Sequence, residues 1–82
     1  MTSPHESLYD LRGLKCPLPV LKTRRRLKTM MTGDCLTIDT SDPLAAIDIP
    51  HLCNQDGHTL LSTEKTVNGH RFVIRKGQTA EI

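Results

Sequence analysis

The residues best equipped for chemistry lie together in Arg12-Gly13-Leu14-Lys15-Cys16-Pro17-Leu18-Pro19. Cys16 supplies the nucleophile. Pro17 and Pro19 suit the first turn of a helix, where a missing N–H forfeits no intrahelical bond. The thiol therefore falls at a helix N-terminus, where free N–H groups and the helix dipole favour negative charge. Arg12, Lys15 and Lys22 add positive charge around it. Together these predict a pKa below the thiol reference of about 8.5. A thiolate is the species that attacks sulfane sulfur, and the same surroundings would stabilise the persulfide anion that results. Gly13 punctuates the approach, and the two prolines stiffen the backbone that presents the thiol. A dithiol redox site needs a second cysteine three positions on. That position is Pro19, so this site works with one thiol, which suffices to accept a sulfur atom and pass it on.

Other candidates read more plainly. A lone cysteine in a small domain is commonly a packed apolar residue. Cys35 is expected on a strand face opposite Leu36 and Ile38, and Cys53 on the apolar face of a second helix. His51, Cys53 and His58 lack the four-ligand spacing, or the Cys-x-x-Cys pair, of a zinc site, so no metal is expected. The histidines at 5, 51, 58 and 70 read as surface or packing residues, with a histidine base for Cys16 left open. Lys22, Arg24, Arg25, Arg26 and Lys28 form a basic run. Such a run is often only a solvated helix face. Its functional reading is a docking surface for an acidic partner protein, which would speed encounter and orient Cys16. Tyr9 and Phe72 are the only aromatics beside no Trp. Base stacking is therefore poorly served, and direct nucleic-acid binding is not expected.

These residues need a scaffold. The chain has 82 residues, so one small domain is expected. Its three cysteines cannot all pair within the chain. No charged start followed by an apolar run opens the sequence, and nothing approaches the roughly 20 apolar residues of a membrane span. A reducing, cytoplasmic setting follows as the expectation. Net charge is only +2, yet residues 1–33 carry seven basic and two acidic side chains, against four and seven in 34–82. The first third thus offers a local positive field.

Leu8–Leu11 reads as a short strand. Val20, Leu21, Leu27 and Met31 recur near helical spacing, which predicts a helix over 17–31 with Gly33 as its C-terminal cap. Alternation predicts a strand over Cys35–Thr40. Asp42-Pro43 opens a short turn through Ile47, and Pro50 argues for a separate helix over 49–56, recapped by Asp48 and closed by Gly57. Strands follow at 58–66 and 70–76, joined at Asn68-Gly69, a pair that tolerates the positive φ of a tight hairpin. The order is β-α-β-α-β-β. The simplest way to bury these stripes is a two-layer α/β sandwich, one mixed four-stranded sheet with both helices on one face.

The chain resembles the TusA family of small sulfur-carrier proteins, marked by Cys-Pro-x-Pro at a helix start. Leu11 to Pro19 matches that motif region. Thr40-Ser41-Asp42-Pro43 with Asp48-Ile49-Pro50 matches a second block, and Gly57-His58 and Phe72-Val73-Ile74-Arg75-Lys76 match the end. The resemblance covers about 8–77, leaving 1–7 and 78–82 as loose termini. It implies a fold like the C-terminal domain of translation initiation factor three, and a persulfide on Cys16 with no metal or organic cofactor. It implies a cysteine desulfurase or rhodanese-type donor and a downstream acceptor protein. Members serve tRNA thiolation, molybdenum-cofactor synthesis or sulfur oxidation. Leu18 departs from the Glu of the best-known tRNA-thiolation member, which leaves the pathway open. The rival expectation is a non-catalytic docking or regulatory module built on the basic helix.

Overall fold

Period-two alternation turns one face of each strand toward a core. The computed structural model, which describes residues 6–77, shows what covers those faces. The elements run β1 (Glu6–Leu11), α1 (Leu18–Lys28), β2 (Cys35–Thr40), α2 (Ala45–Asp56), β3 (Thr59–Lys65) and β4 (His70–Arg75). They build the expected sandwich, with a mixed sheet ordered β1-β2-β4-β3. β1 lies parallel to β2, and the other two pairings are antiparallel. In the central pair, Leu36 faces Ile74 and Ile38 faces Phe72. All four are fully buried, under Leu27 of α1 and Ile49 and Leu52 of α2.

The far face of the sheet mixes apolar Leu8 and Val73 with a charged cluster. Asp39 of β2 accepts two bonds from Arg71 of β4, at 2.7 and 3.0 Å. Its neighbour across β1–β2 is Asp10. Two carboxylates side by side would repel. Arg12 prevents this by donating to Asp10 at 2.8 and 2.9 Å, and that pairing holds the Asp10 carboxyl down at about 2.

The helices depart from the expected boundaries for physical reasons. α1 stops at Lys28 with Thr29 as its C-cap, so Gly33 does not cap it. Gly33 instead sits in the turn to β2, its N–H on the Lys76 carbonyl. The buried stripe of α1 is Pro19, Thr23 and Leu27, at steps of four. Leu21 and Met31 are exposed; a polar Thr in the stripe disguised it. α2 begins at Ala45 and runs straight through Pro50, and Asp48 is inside it rather than a cap. Pro50 forfeits one backbone bond. The continuous stripe of Ala45, Ile49, Leu52 and Cys53 offsets that loss. Gly57 closes α2 in the left-handed region.

β1 starts at Glu6, so two residues assigned to the loose N-terminus belong to a strand. The remaining expected loose ends, 1–5 and 78–82, lie outside the described residues. The hairpin also differs in detail. Thr66 N–H bonds the Gly69 carbonyl, yet the described positive-φ residues are Gly13, Gly33 and Gly57. Gly69 is needed for another reason: a Cβ there would collide with the Thr40 carbonyl oxygen.

Lys76, buried just past β4, ties the two layers together. Its Nζ donates to the carbonyls of Leu27 (2.6 Å) and Met30 (3.3 Å) at the C-terminal end of α1. A cation there satisfies orphan carbonyls and complements the helix dipole. Lys76→Met should lower the unfolding free energy by about 1–3 kcal/mol, the usual worth of bonds to a charged donor. Urea unfolding checks this, and an unchanged midpoint would refute it.

Candidate active site

The turn between β1 and α1 carries the Cys-Pro-Leu-Pro segment. Gly13 turns the chain in the left-handed region, with φ +89°. Leu18 N–H then closes onto the Lys15 carbonyl at 2.8 Å. Pro17 is the N-cap of α1, and the Cys16–Pro17 peptide is cis. Cys16 therefore stands one residue outside the helix, and its side chain is exposed.

Two bonds pin this turn to the connection between β2 and α2. Ser41 Oγ accepts the Gly13 N–H at 2.8 Å. Asp42 Oδ2 accepts the Cys16 N–H at 2.6 Å, while its Oδ1 accepts the Leu44 N–H at 3.1 Å. One carboxylate thus fixes both the thiol's backbone and the approach to α2. Asp42→Ala strips both N–H groups of their acceptor and should cost about 1–2 kcal/mol. Amide exchange at Cys16 should accelerate along with it. Unchanged exchange would show that Asp42 does not hold the turn.

Among the described residues, the thiol has one hydrogen-bond partner. Cys16 Sγ donates to Asp48 Oδ2, 3.4 Å away on α2. That bond is the main reason the Cys16 pKa lies above the ordinary thiol value, with the charges of Asp48 and Asp42 adding to it. The expected depression is therefore reversed. Arg12 spends its guanidinium on Asp10. The Cys16 N–H faces Asp42, and neither proline offers an N–H to a sulfur anion. Lys15, next to Cys16 in sequence, is exposed. Among the described residues, the group facing the thiol is a carboxylate and not a histidine.

The other sequence candidates separate. Of the basic run, Arg24 binds Asp56 at 2.8 Å and Arg26 lies 4.4 Å over the Tyr9 ring. Lys22, Arg25 and Lys28, at steps of three, remain exposed on the outer face of α1. Cys35 is half-buried on the face of the sheet away from the helices. Cys53 is buried in the core, which pushes its thiol up to about 11. His58 Nδ1 accepts the Gly77 N–H, and His70 stacks on Phe72. His51 borders an open groove of about 210 Å³ between the helices, with Pro17, Val20 and Leu52 as its apolar part and Asp48 and Arg24 beside them. Among the described residues, no three His, Cys, Asp or Glu side chains gather to hold a metal ion, and no helix is long and apolar enough to cross a membrane.

Sequence reasoning missed Ser41, Asp42 and Asp48 as parts of the site. Both aspartates precede prolines and helical residues, a pattern that helix caps share. Only the 26- and 32-residue separations from Cys16, closed by the fold, reveal their use. Among known protein families, the model for "Sulfurtransferase TusA" matches residues 8–76, from β1 through Lys76.

Proposed function

The chain belongs to the TusA sulfurtransferase family, whose members carry and transfer sulfur, and from that premise we propose that it takes up sulfane sulfur as a persulfide on Cys16 and relays it to an acceptor thiol. The observation that carries this reading is the presentation of Cys16. It is the exposed cysteine of the three, on a turn pinned at Gly13 and at its own N–H.

The transfer balances without an outside oxidant. Cys16 Sγ attacks the terminal sulfur of a donor persulfide, a new S–S bond forms, and the donor S–S bond breaks. The donor thiolate leaves with the proton that Cys16 gives up. Delivery is the same exchange in reverse roles. Neither step changes the overall redox state, so the exchange calls for no metal or organic cofactor.

The donor is a cysteine desulfurase or a rhodanese-type enzyme, and the acceptor is a second protein thiol in tRNA thiolation, molybdenum-cofactor synthesis or sulfur oxidation. A reducing cytoplasmic setting suits three unpaired thiols. Docking falls to the outward cations Lys22, Arg25 and Lys28, with exposed Leu18 and Leu21 on the same helix. Arg24 and Arg26 serve the fold first. Gly13, Pro17 and Pro19 shape the turn, and Lys15 flanks the thiol.

Intact mass tests the proposal. The protein is incubated with a desulfurase and cysteine, and separately with a rhodanese and thiosulfate. The expected result is a gain of one sulfur atom that a thiol reductant reverses. No gain from either donor would overturn the carrier reading and leave a docking module built on α1.

A further inference from the structure

Asp48 runs against the chemistry of the thiol it touches. A carrier cysteine reacts as the thiolate. Yet Asp48 Oδ2 stands 3.4 Å from Sγ, as acceptor of the thiol proton. A carboxylate in that position favours the neutral thiol over the anion. Among the described residues, no cation pairs with that carboxylate. Arg12 is held by Asp10, and Arg24 by Asp56 and Gln55. Asp42, the second carboxylate near the sulfur, already accepts two backbone N–H groups. Lys15 is exposed. His51, one turn along α2, borders the same groove, whose open side gives access to the Asp48 carboxylate.

We propose that Asp48 locks the sulfur-carrying thiol: it holds the Cys16 proton in the free protein, and a cationic group of the sulfur donor must engage its carboxylate before Cys16 attacks. This rests on Cys16 being the carrier thiol. With the cation in place, the carboxylate is neutralised and no longer stabilises the protonated sulfur. Cys16 then forms its bond to the donor's terminal sulfur, the donor S–S bond breaks, and the proton goes to the departing donor thiolate. When the donor leaves, its cation leaves with it. Asp48 and Asp42 then repel the persulfide anion and turn its terminal sulfur outward, toward the next partner. The unloaded thiol, meanwhile, is shielded from stray electrophiles and oxidants, which also select for thiolate.

Methanethiosulfonate reagents test the lock, because one reactive group is available in cationic, neutral and anionic forms. Modification is followed at the Cys16 peptide, across neutral to alkaline pH, so that Cys35 and Cys53 do not contribute. Wild type should react about tenfold faster with the cationic than with the anionic reagent, a bias of the size that local fields impose. Lys15 and Lys22 alone would give the opposite bias. Asp48→Asn should react several-fold faster with the neutral reagent at neutral pH, move the midpoint of the profile to lower pH, and lose the charge preference. Asp48→Ala serves as a second variant, with the thermal midpoint of each confirming a folded protein. A folded variant with the wild-type profile and bias would overturn the lock. Sulfur loading from a desulfurase is measured alongside. If wild type does not load, the carrier reading fails. If it loads and Asp48→Asn reacts as wild type does, the lock alone fails.

Discussion

Cys16→Ala should accept no sulfur from either donor class, while unfolding at the wild-type temperature. The two halves of this expectation have separate causes. The thiol is exposed, and its only side-chain bond among the described residues is the 3.4 Å contact with Asp48. Replacing an exposed residue outside the core usually changes stability by no more than about 0.5 kcal/mol. Loading should nevertheless vanish, because neither remaining cysteine can substitute. Cys53 is 2% exposed and its thiol is pushed up to about 11 by burial. Cys35 is half-buried, on the face that the helices leave open. Cys16→Ser should behave like the alanine variant, since its alcohol is far less nucleophilic toward sulfur. Intact mass and a thermal melt read both halves. Sulfur retained on the alanine variant would move the carrier role to another residue.

Phe72→Ala should show the largest stability loss among single substitutions in the core, about 3–5 kcal/mol. Phe72 is fully buried in central strand β4, facing Ile38 on one side and Thr63 on the other. Removing the ring opens a cavity that two flanking strands cannot close without losing their register. A domain of this size has little in reserve, since total stabilities begin near about 5 kcal/mol. The variant should therefore populate unfolded chains at 25 °C, seen as a urea transition with no native baseline. A loss below about 1 kcal/mol would mean that the core collapses around the gap.

The fold was legible where one face of an element is strictly apolar. β2 alternates cleanly, and its limits at Cys35 and Thr40 agree with the structure. Boundaries failed where a residue's local preference loses to packing. Pro50 looked like a helix break, yet the stripe from Ala45 to Cys53 carries α2 through it. The hairpin formed where Asn68-Gly69 marked it, but close approach to Thr40, and not positive φ, is what glycine permits there. At the site, Cys16 was legible from its own neighbours. Its electrostatics were not. Arg12, close to it in sequence, is taken up by Asp10 two residues back, while the carboxylates that govern the thiol arrive from the far side of the first crossover. Charge counted along a chain is a poor guide to a field that depends on which side chains are already paired.

The contact between Gly69 and Thr40 has a practical side. Hairpin tips are ordinarily the safest places to graft a tag, lengthen a loop or open a chain for permutation. This tip rests on the Thr40 carbonyl and the Ser41 Cα, at the start of the Ser41-Asp42 pair that pins the thiol's turn. An insertion at 68–69 would push on the very strand end from which Ser41 and Asp42 reach across. A label meant to be silent would then detune the cysteine from the opposite end of the sequence.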